Sequence, residues 1–192
     1  MMKSCLISIL VSLVSFTAAW GQASGTQVTE TDSTLTLRNS KVRVEFPKGE
    51  AFDISKLTLN GKELVLSKGY NTVPWTLTYK GPQGENPVLF PSHGEYAGWA
   101  KTTKDGHVAI AFKWNMRLTY QDLVPVVMTV SLPGDSELAY WDIQAGTPDG
   151  WLVSNTQFPR ITVTRPDKAK LITSAGWGAE YNLSNPQVYT SS

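Results

Sequence analysis

The chain has 192 residues, one cysteine and a formal net charge of +1, and 41% of its residues are hydrophobic. Because the basic residues are spread along the chain and form no stripe, the composition argues against nucleic-acid binding. No basic amphipathic helix is apparent either, so we expect no attraction to a lipid surface and no membrane insertion. This composition predicts neutral molecules as partners.

The first residues, MMKSCLISILVSLVSFTAAWGQASG, predict a secretory signal peptide over residues 1–21. One lysine precedes an apolar run that is shorter than the roughly 20 residues a membrane span requires, and small residues follow it. Cleavage after Gly21 would remove Cys5, the only cysteine, so the mature chain would have no disulfide. Export without disulfides favours a bacterial protein that is secreted or periplasmic.

Residues 22–192 predict a single domain made of strands, because apolar residues recur at every second position, as in TLTLR at 34–38. Dipeptides that favour hairpin turns separate these segments, among them Asn39-Ser40, Asn60-Gly61 and Asp105-Gly106. No segment keeps a helical apolar period over a convincing length. The predicted fold class is therefore an all-β antiparallel β-sandwich, supersandwich-like, with little helix.

The alternation also predicts the core of the sandwich. Trp75 and Trp114 lie in phase with apolar strand positions, so we expect them to be buried. Tyr140 and Trp141 are neighbours on opposite faces of one strand, and one of the two should be buried. The other predicted core residues are Leu37, Val44, Phe46, Leu57, Leu77, Ile110, Phe112 and Val130.

The least regular section, residues 81–106, predicts a long loop that interrupts the strands. Loops of this length in compact domains are usually functional or disordered, and the aromatic residues Tyr96 and Trp99 argue against disorder. A second glycine-bearing loop carries Trp177, between Gly176 and Gly178. Trp99 and Trp177 are therefore the tryptophans expected to be exposed.

Exposed aromatic residues are the main functional signal in this sequence. Sugars present C–H faces that pack on indole rings, and their hydroxyls need polar groups nearby. The predicted carbohydrate-binding residues are Trp99 and Trp177 with His93 and Glu95 of the segment PSHGEY. The alternatives are burial in the core for both tryptophans, because large rings are usually buried, and a loop hydrogen bond for His93.

The sequence predicts no catalytic residue, no metal site and no cofactor. His93 and His107 are the only histidines, and no Gly-x-Ser-x-Gly motif or glycine-rich phosphate loop accompanies them. No cysteine or carboxylate cluster stands at metal-ligand spacing from either histidine. Glycoside hydrolysis needs two carboxylates at a defined separation, and candidates are present at Glu85, Asp105 and Asp142 as well as at Glu95.

The segments LTLRNSKVRVEFPKGEAFDISKLTLNGKELV, FPRI and KLITSAGWG, in this order, resemble the N-terminal β-sandwich of large secreted polysaccharide-degrading enzymes of gut and marine Bacteroidetes. That domain is a galactose-mutarotase-like supersandwich which precedes a glycosidase-type catalytic barrel. The resemblance covers essentially residues 22–192. The chain departs from the pattern at Ser174-Ala175, where related sequences tend to have a proline before the Gly-Trp loop.

The resemblance implies a non-catalytic, carbohydrate-associated domain that forms the N-terminal part of a longer enzyme. Its implied partners are a polysaccharide or oligosaccharide and a catalytic domain absent from this chain, with Trp177 near a domain interface or substrate cleft. One alternative is a small sugar epimerase or lyase that uses His93 and Glu95, although this chain lacks the histidine-containing, asparagine-rich motif of mutarotase-type enzymes. Another alternative is a structural docking domain that binds a protein.

Overall fold

The computed structural model describes residues 25–49, 53–64, 73–120, 122–161, 170–173 and 179–182. These residues contain fourteen strands and one 3-10 helix, Pro91–His93, and every strand pair is antiparallel. The predicted all-β class is confirmed. The strands are β1 (Gln27–Glu30), β2 (Thr34–Arg38), β3 (Val42–Pro47), β4 (Lys56–Leu59), β5 (Lys62–Leu64), β6 (Thr76–Lys80), β7 (Val88–Leu89), β8 (Gly94–Lys104), β9 (His107–Arg117), β10 (Leu123–Leu132), β11 (Tyr140–Ala145), β12 (Leu152–Gln157), β13 (Lys170–Thr173) and β14 (Ala179–Asn182).

The strands form three sheets and a separate β13–β14 pair. The first sheet has the order β1-β2-β3-β4-β5, the second β11-β10-β9-β8 and the third β12-β6-β7. Most partners are consecutive in the chain, because short turns join antiparallel strands directly. Strand β12 is the exception, since it returns to pair with β6. The predicted signal peptide lies outside the described residues, and no helix within them has the length and apolarity to cross a membrane.

The turns form where the sequence predicted them. Asn60 and Gly61 have φ angles of 49° and 75°, and Asp105 and Gly106 have φ angles of 51° and 79°. Asparagine, aspartate and glycine tolerate this left-handed region better than other residues do, which makes such pairs suited to two-residue hairpin loops. Both hairpins are therefore fixed locally by their own sequence.

The core lies between the first and third sheets on one side and the inner face of the second sheet on the other. Phe46 of β3 contacts Phe112 of β9 with ring centroids 4.7 Å apart, and Trp75 contacts Trp114 at 5.5 Å. Both tryptophans are buried, as predicted, and Leu57 is half-buried against the core. The remaining predicted core residues are all buried: Leu37, Val44, Phe46, Leu77, Ile110, Phe112 and Val130.

The prediction of a long loop over residues 81–106 is wrong, because this section contains β7, the 3-10 helix and the eleven-residue strand β8. A β-bulge explains the error. Tyr96 pairs with Trp114 and Gly98 with Lys113, so two residues of β8 oppose one residue of β9. Gly98 has a φ of 104° at this point. The bulge breaks the alternation of apolar residues by which a strand is recognised in sequence.

Candidate functional site

The second sheet has an outer face that points away from the core, and small residues lie near one end of this face. Ala109 of β9 pairs with Ser131 of β10, which in turn pairs with Tyr140 of β11. Paired residues lie on the same face of a sheet, and all three alternate with core residues such as Ile110. Ala109 and Ser131 are nevertheless buried. Longer side chains of the same face therefore cover these two small residues.

A cavity of about 230 Å³ lies at one end of this outer face. It is formed where the turn between β8 and β9 comes close to the start of β11. We call it the outer-face cavity. Its lining residues are Lys104, Asp105, His107, Ser131, Tyr140, Trp141 and Asp142.

Hairpin geometry positions one side of the outer-face cavity. Lys104 and His107 are a directly opposed pair across the tight Asp105-Gly106 turn, so three of the lining residues come from one rigid hairpin. Polar groups held by strands and short turns keep a more precise geometry than groups on long loops. The backbone on this side of the cavity is therefore held in a fixed geometry.

Two flat rings lie close together at the cavity. The Tyr140 phenol and the His107 imidazole are nearly parallel, with an angle of 10° between their planes and 6.3 Å between their centroids. They come from β11 and β9, with β10 and its small Ser131 side chain between these two strands. Tyr140 keeps 51% of its surface exposed. Its ring is accessible to a ligand that can pack on an aromatic face.

The two carboxylate oxygens of Asp142 differ in whether they have a partner. Lys104 Nζ lies 3.6 Å from Asp142 Oδ2, in an ion pair whose two side chains are both more than one third exposed. Asp142 Oδ1 is buried and finds no hydrogen-bond donor among the described residues. Leaving a buried acceptor without a donor costs about 1–3 kcal/mol. This oxygen is closed to a ligand as well as to water, and the exposed part of the Asp142 side chain lies at its other atoms.

The acidic residues and histidine of the cavity do not amount to a metal centre. Asp105, His107 and Asp142 all line the cavity. Across the ranges that the structure describes, no three His, Cys, Asp or Glu side chains are grouped so that they could hold a metal ion. What the arrangement offers chemically is an aromatic face beside hydrogen-bonding groups, which is suited to binding a polar ring with apolar faces.

The structure places Trp99, His93 and Glu95 away from the outer-face cavity. Trp99 lies in β8, opposite Phe112, and is half-buried against the core instead of standing in an exposed loop. His93 and Glu95 are both exposed at the start of β8, far along the strand from the cavity. The ring centroids of His93 and Phe90 are 3.4 Å apart. None of these three residues lines the outer-face cavity. Trp177 lies outside the described residues.

Sequence reasoning missed the residues that do line the cavity. Tyr140 and Asp142 flank Trp141, whose ring contacts Phe46 at 6.1 Å on the inner face. The alternation in AYWDI therefore indicated that Tyr140 and Asp142 point outward. The sequence carried no signal that β11 would lie close to the β8–β9 turn, since this proximity depends on the strand order of the sheet.

A comparison with curated proteins gives a relative. The chain is 35% identical over 182 residues to a protein of Bacteroides thetaiotaomicron named "Putative glycoside hydrolase". The match covers 94% of this chain but 27% of the relative, so the chain spans about a quarter of the length of the curated protein it matches. No family model and no solved structure matches the chain. The resemblance to a Bacteroidetes protein related to glycoside hydrolases is thereby confirmed, and the galactose-mutarotase-like fold stays a prediction.

Proposed function

We propose that this chain is a non-catalytic, carbohydrate-binding β-sandwich domain of a longer, secreted polysaccharide-degrading protein. The observation that carries the proposal is the outer-face cavity, where the half-exposed ring of Tyr140 lies beside the partly exposed ion pair of Lys104 and Asp142. The name of the Bacteroides relative and its greater length support the glycoside-hydrolase context. The order of the sequence segments favours a galactose-mutarotase-like supersandwich.

Saccharide binding follows from the chemistry of the cavity. The C–H face of a sugar ring packs on Tyr140 and removes apolar surface from water. A sugar hydroxyl then donates a hydrogen bond to Asp142 Oδ2, and the Lys104 ammonium can donate to a second sugar oxygen. A site with one exposed ring buries little area, so the expected affinity is weak, about micromolar to millimolar.

The proposal also includes contacts outside the described residues. Trp177, between two glycines, is proposed as a second aromatic contact, either to the saccharide or to a catalytic domain that follows the sandwich. The proposed secretion depends on the signal peptide at residues 1–21. Determining the mature N-terminus of the exported protein by mass spectrometry tests that part, and cleavage after Gly21 is the expected result.

Carbohydrate binding is tested by titrating the purified protein with plant and algal oligosaccharides in a calorimeter and by saturation-transfer NMR. We expect weak, saturable binding, and we expect Tyr140→Ala to lower the affinity about tenfold or more. Tyr120→Ala is the matched control, because Tyr120 is 91% exposed and lies outside the cavity. If no oligosaccharide binds the wild-type protein, the proposal is wrong, and a docking role toward a protein becomes the better interpretation.

The non-catalytic part of the proposal needs a separate experiment. The protein is incubated with the same oligosaccharides, and the mixture is analysed by anion-exchange chromatography and by NMR of the anomeric protons. We expect neither cleavage nor epimerisation. A product whose formation disappears in the double variant His93→Ala, Glu95→Gln would instead identify the protein as an epimerase or lyase.

A further inference from the structure

We infer that the sandwich contains a second saccharide-binding site, formed by the Trp151 indole and the Glu85 carboxylate where two turns meet. We call it the turn site. The inference rests on the proposed carbohydrate-binding function and adds to it a second place at which a sugar residue binds. Three observations support it: a glycine lets the two side chains meet, a hydrogen bond orients the carboxylate, and the ring is only partly buried.

The turn site lies at the end of the third sheet. Leu152 of β12 pairs with Lys80 of β6, so Trp151 and Gly81 are the next opposed residues as the two strands leave the sheet. Trp151 follows the end of β11 by way of residues 146–150, whereas the outer-face cavity lies at the start of β11. A strand of six residues spans about 20 Å. The turn site is therefore separate from the outer-face cavity.

Gly81 brings the indole ring and the carboxylate together. Gly81 is buried, and a Cβ atom placed on it would lie 2.8 Å from Trp151 Cη2 and closer still to Glu85 Oε2. Because glycine has no side chain, the backbone can approach both groups this closely. The ring and the carboxylate thus occupy the space over one glycine and lie beside each other.

The turn that contains Glu85 holds its carboxylate in one orientation. Glu85 Oε2 accepts a hydrogen bond from Gln83 N at 2.9 Å, and Glu85 O accepts one from Gly81 N at 2.9 Å. Oε2 also faces Gly81, whereas Oε1 lies no closer to the Cβ position of Gly81 than Glu85 Cδ does, at 3.0 Å. Glu85 is exposed, and Oε1 has no partner in the part of the chain that the structure describes. Oε1 can therefore accept a hydrogen bond from a ligand.

The Trp151 ring is anchored but not enclosed. Its Cη2 atom, at the tip of the indole, is the ring atom nearest Gly81, and the side chain is half-buried against the core. A hydrogen bond from Trp151 N to Pro148 O at 3.0 Å and the positive φ of Gly150, 79°, fix the backbone of the turn. No other aromatic ring within the described ranges contacts this indole. The exposed part of the ring is therefore a fixed apolar surface.

A sugar residue satisfies the ring and the carboxylate at once. Its C–H face packs on the exposed part of the Trp151 indole, and one of its hydroxyls donates a hydrogen bond to Glu85 Oε1. The position suits binding, because turns supported by rigid sheets lie close together at the ends of a β-sandwich. One partly exposed ring buries little area, so the expected affinity is about micromolar to millimolar.

The test follows the indole N–H signal of Trp151 in two-dimensional NMR spectra of the isotope-labelled full chain. This signal is the one that disappears in Trp151→Phe. Oligosaccharides of glucose, xylose, galactose and galacturonate are titrated in turn. We expect at least one of them to shift the Trp151 signal in a saturable way. The same shift should occur in Tyr140→Ala, because the turn site is separate from the outer-face cavity.

Glu85→Gln keeps the shape of the side chain and removes its charge. We expect this variant to lower the affinity read from the Trp151 signal about threefold or more, because hydrogen bonds to charged acceptors are stronger than neutral ones. Glu63→Gln is the matched control. It makes the same charge change at an exposed residue of β5 in the first sheet, and it should leave the affinity unchanged.

The outcomes separate this inference from the proposed function. If calorimetry detects oligosaccharide binding while the Trp151 signal stays in place, the inference is wrong and the function stands. A shift that is lost in Tyr140→Ala is an indirect effect of the outer-face cavity, and a shift whose affinity is the same in Glu85→Gln excludes the carboxylate. Both results overturn the turn site. Absence of all oligosaccharide binding contradicts the function as well. These measurements need only the wild-type protein and surface variants, so they do not depend on the folding of a truncated Trp151.

Discussion

The inner and outer faces of the second sheet are made by the same strands and differ in how their aromatic residues are used. On the inner face, Phe112 and Trp114 are buried, and they contact Phe46 of the first sheet and Trp75, which directly precedes β6. On the outer face, Tyr140 and His107 stand over small residues and remain accessible. Aromatic residues that alternate along a strand thus stabilise the fold on one face and can bind a ligand on the other.

This comparison explains why Trp99, which was predicted to be exposed, does not line the outer-face cavity. Trp75 and Trp114 are buried, and Trp99 and Trp141 are half-buried against the core. Indole rings remove the most apolar surface from water when they are buried, so the tryptophans of this sequence mainly indicate core positions. The half-exposed aromatic residue of the outer-face cavity is a tyrosine, whose hydroxyl makes exposure less costly.

The strongest test of the inner face is Phe112→Ala. Phe112 is 1% exposed and contacts Phe46 at 4.7 Å, so the substitution leaves a cavity between two sheets. We expect the free energy of unfolding to fall by about 3–5 kcal/mol. Urea denaturation followed by tryptophan fluorescence measures this loss, with Tyr140→Ala on the outer face as the contrasting variant. A loss below about 1 kcal/mol for Phe112→Ala would contradict the assignment of the inner face.

Trp99→Ala tests whether Trp99 stabilises the core or contacts a carbohydrate. Trp99 is half-buried opposite Phe112, so we expect a loss of about 1–3 kcal/mol, smaller than that for Phe112. Affinity for oligosaccharides, measured on folded protein, should stay unchanged. If Trp99→Ala instead abolished binding at nearly unaltered stability, the sequence-based prediction of Trp99 as a carbohydrate contact would be right and the core assignment wrong.

Alkaline pH tests the inner face without changing its packing. Burial raises the pKa of Tyr96 from its ordinary value of 10.0 to about 12, and burial also raises the pKa of Tyr79. The Tyr79 hydroxyl donates to Gly146 O at 2.8 Å, which requires the protonated phenol. The folded state therefore keeps phenol protons that the unfolded chain loses above about pH 10.

The sign of this linkage predicts a definite pH window. Stability contributed by the two phenols is fully present below about pH 10 and is lost at higher pH, for Tyr96 as the pH rises through about 12. Urea midpoints measured between about pH 8 and about pH 12 should fall only in the upper half of the range. Tyr96→Phe should make the fall shallower. A midpoint that is constant up to about pH 12 would show that both phenols titrate normally in the folded protein.

Much of the inner face could be predicted from the sequence, because burial imposes a local pattern. The alternation placed Val44 and Ile110 in the core, and the Asn60-Gly61 and Asp105-Gly106 pairs marked their hairpins correctly. Strand β8 escaped prediction because the bulge at Gly98 interrupts its alternation. The alternation of apolar residues therefore predicts a strand only where every residue of that strand has one partner in the neighbouring strand.

The outer-face cavity could not be predicted in the same way. Each lining residue is ordinary in its own strand, and Asp105 and Asp142 are two carboxylates among many in the sequence. What distinguishes them is that the strand order brings β11 beside β10 and the β8–β9 turn to the same end of the sheet. This is a long-range property, set by how the hairpins pair after they form.

The smallest expected effect on stability concerns the ion pair of the outer face. Lys104 Nζ and Asp142 Oδ2 are 3.6 Å apart and both side chains are more than one third exposed, so solvent screens their attraction. Lys104→Gln should lower the free energy of unfolding by about 0.2–1 kcal/mol. A double-mutant cycle with Asp142→Asn isolates the pair, and its coupling should shrink further in high salt. A coupling well above about 1 kcal/mol would mean that Asp142 depends on Lys104 to tolerate its buried Oδ1. The outer face would then contribute to folding as the inner face does, and the division between the two faces would fail at Asp142.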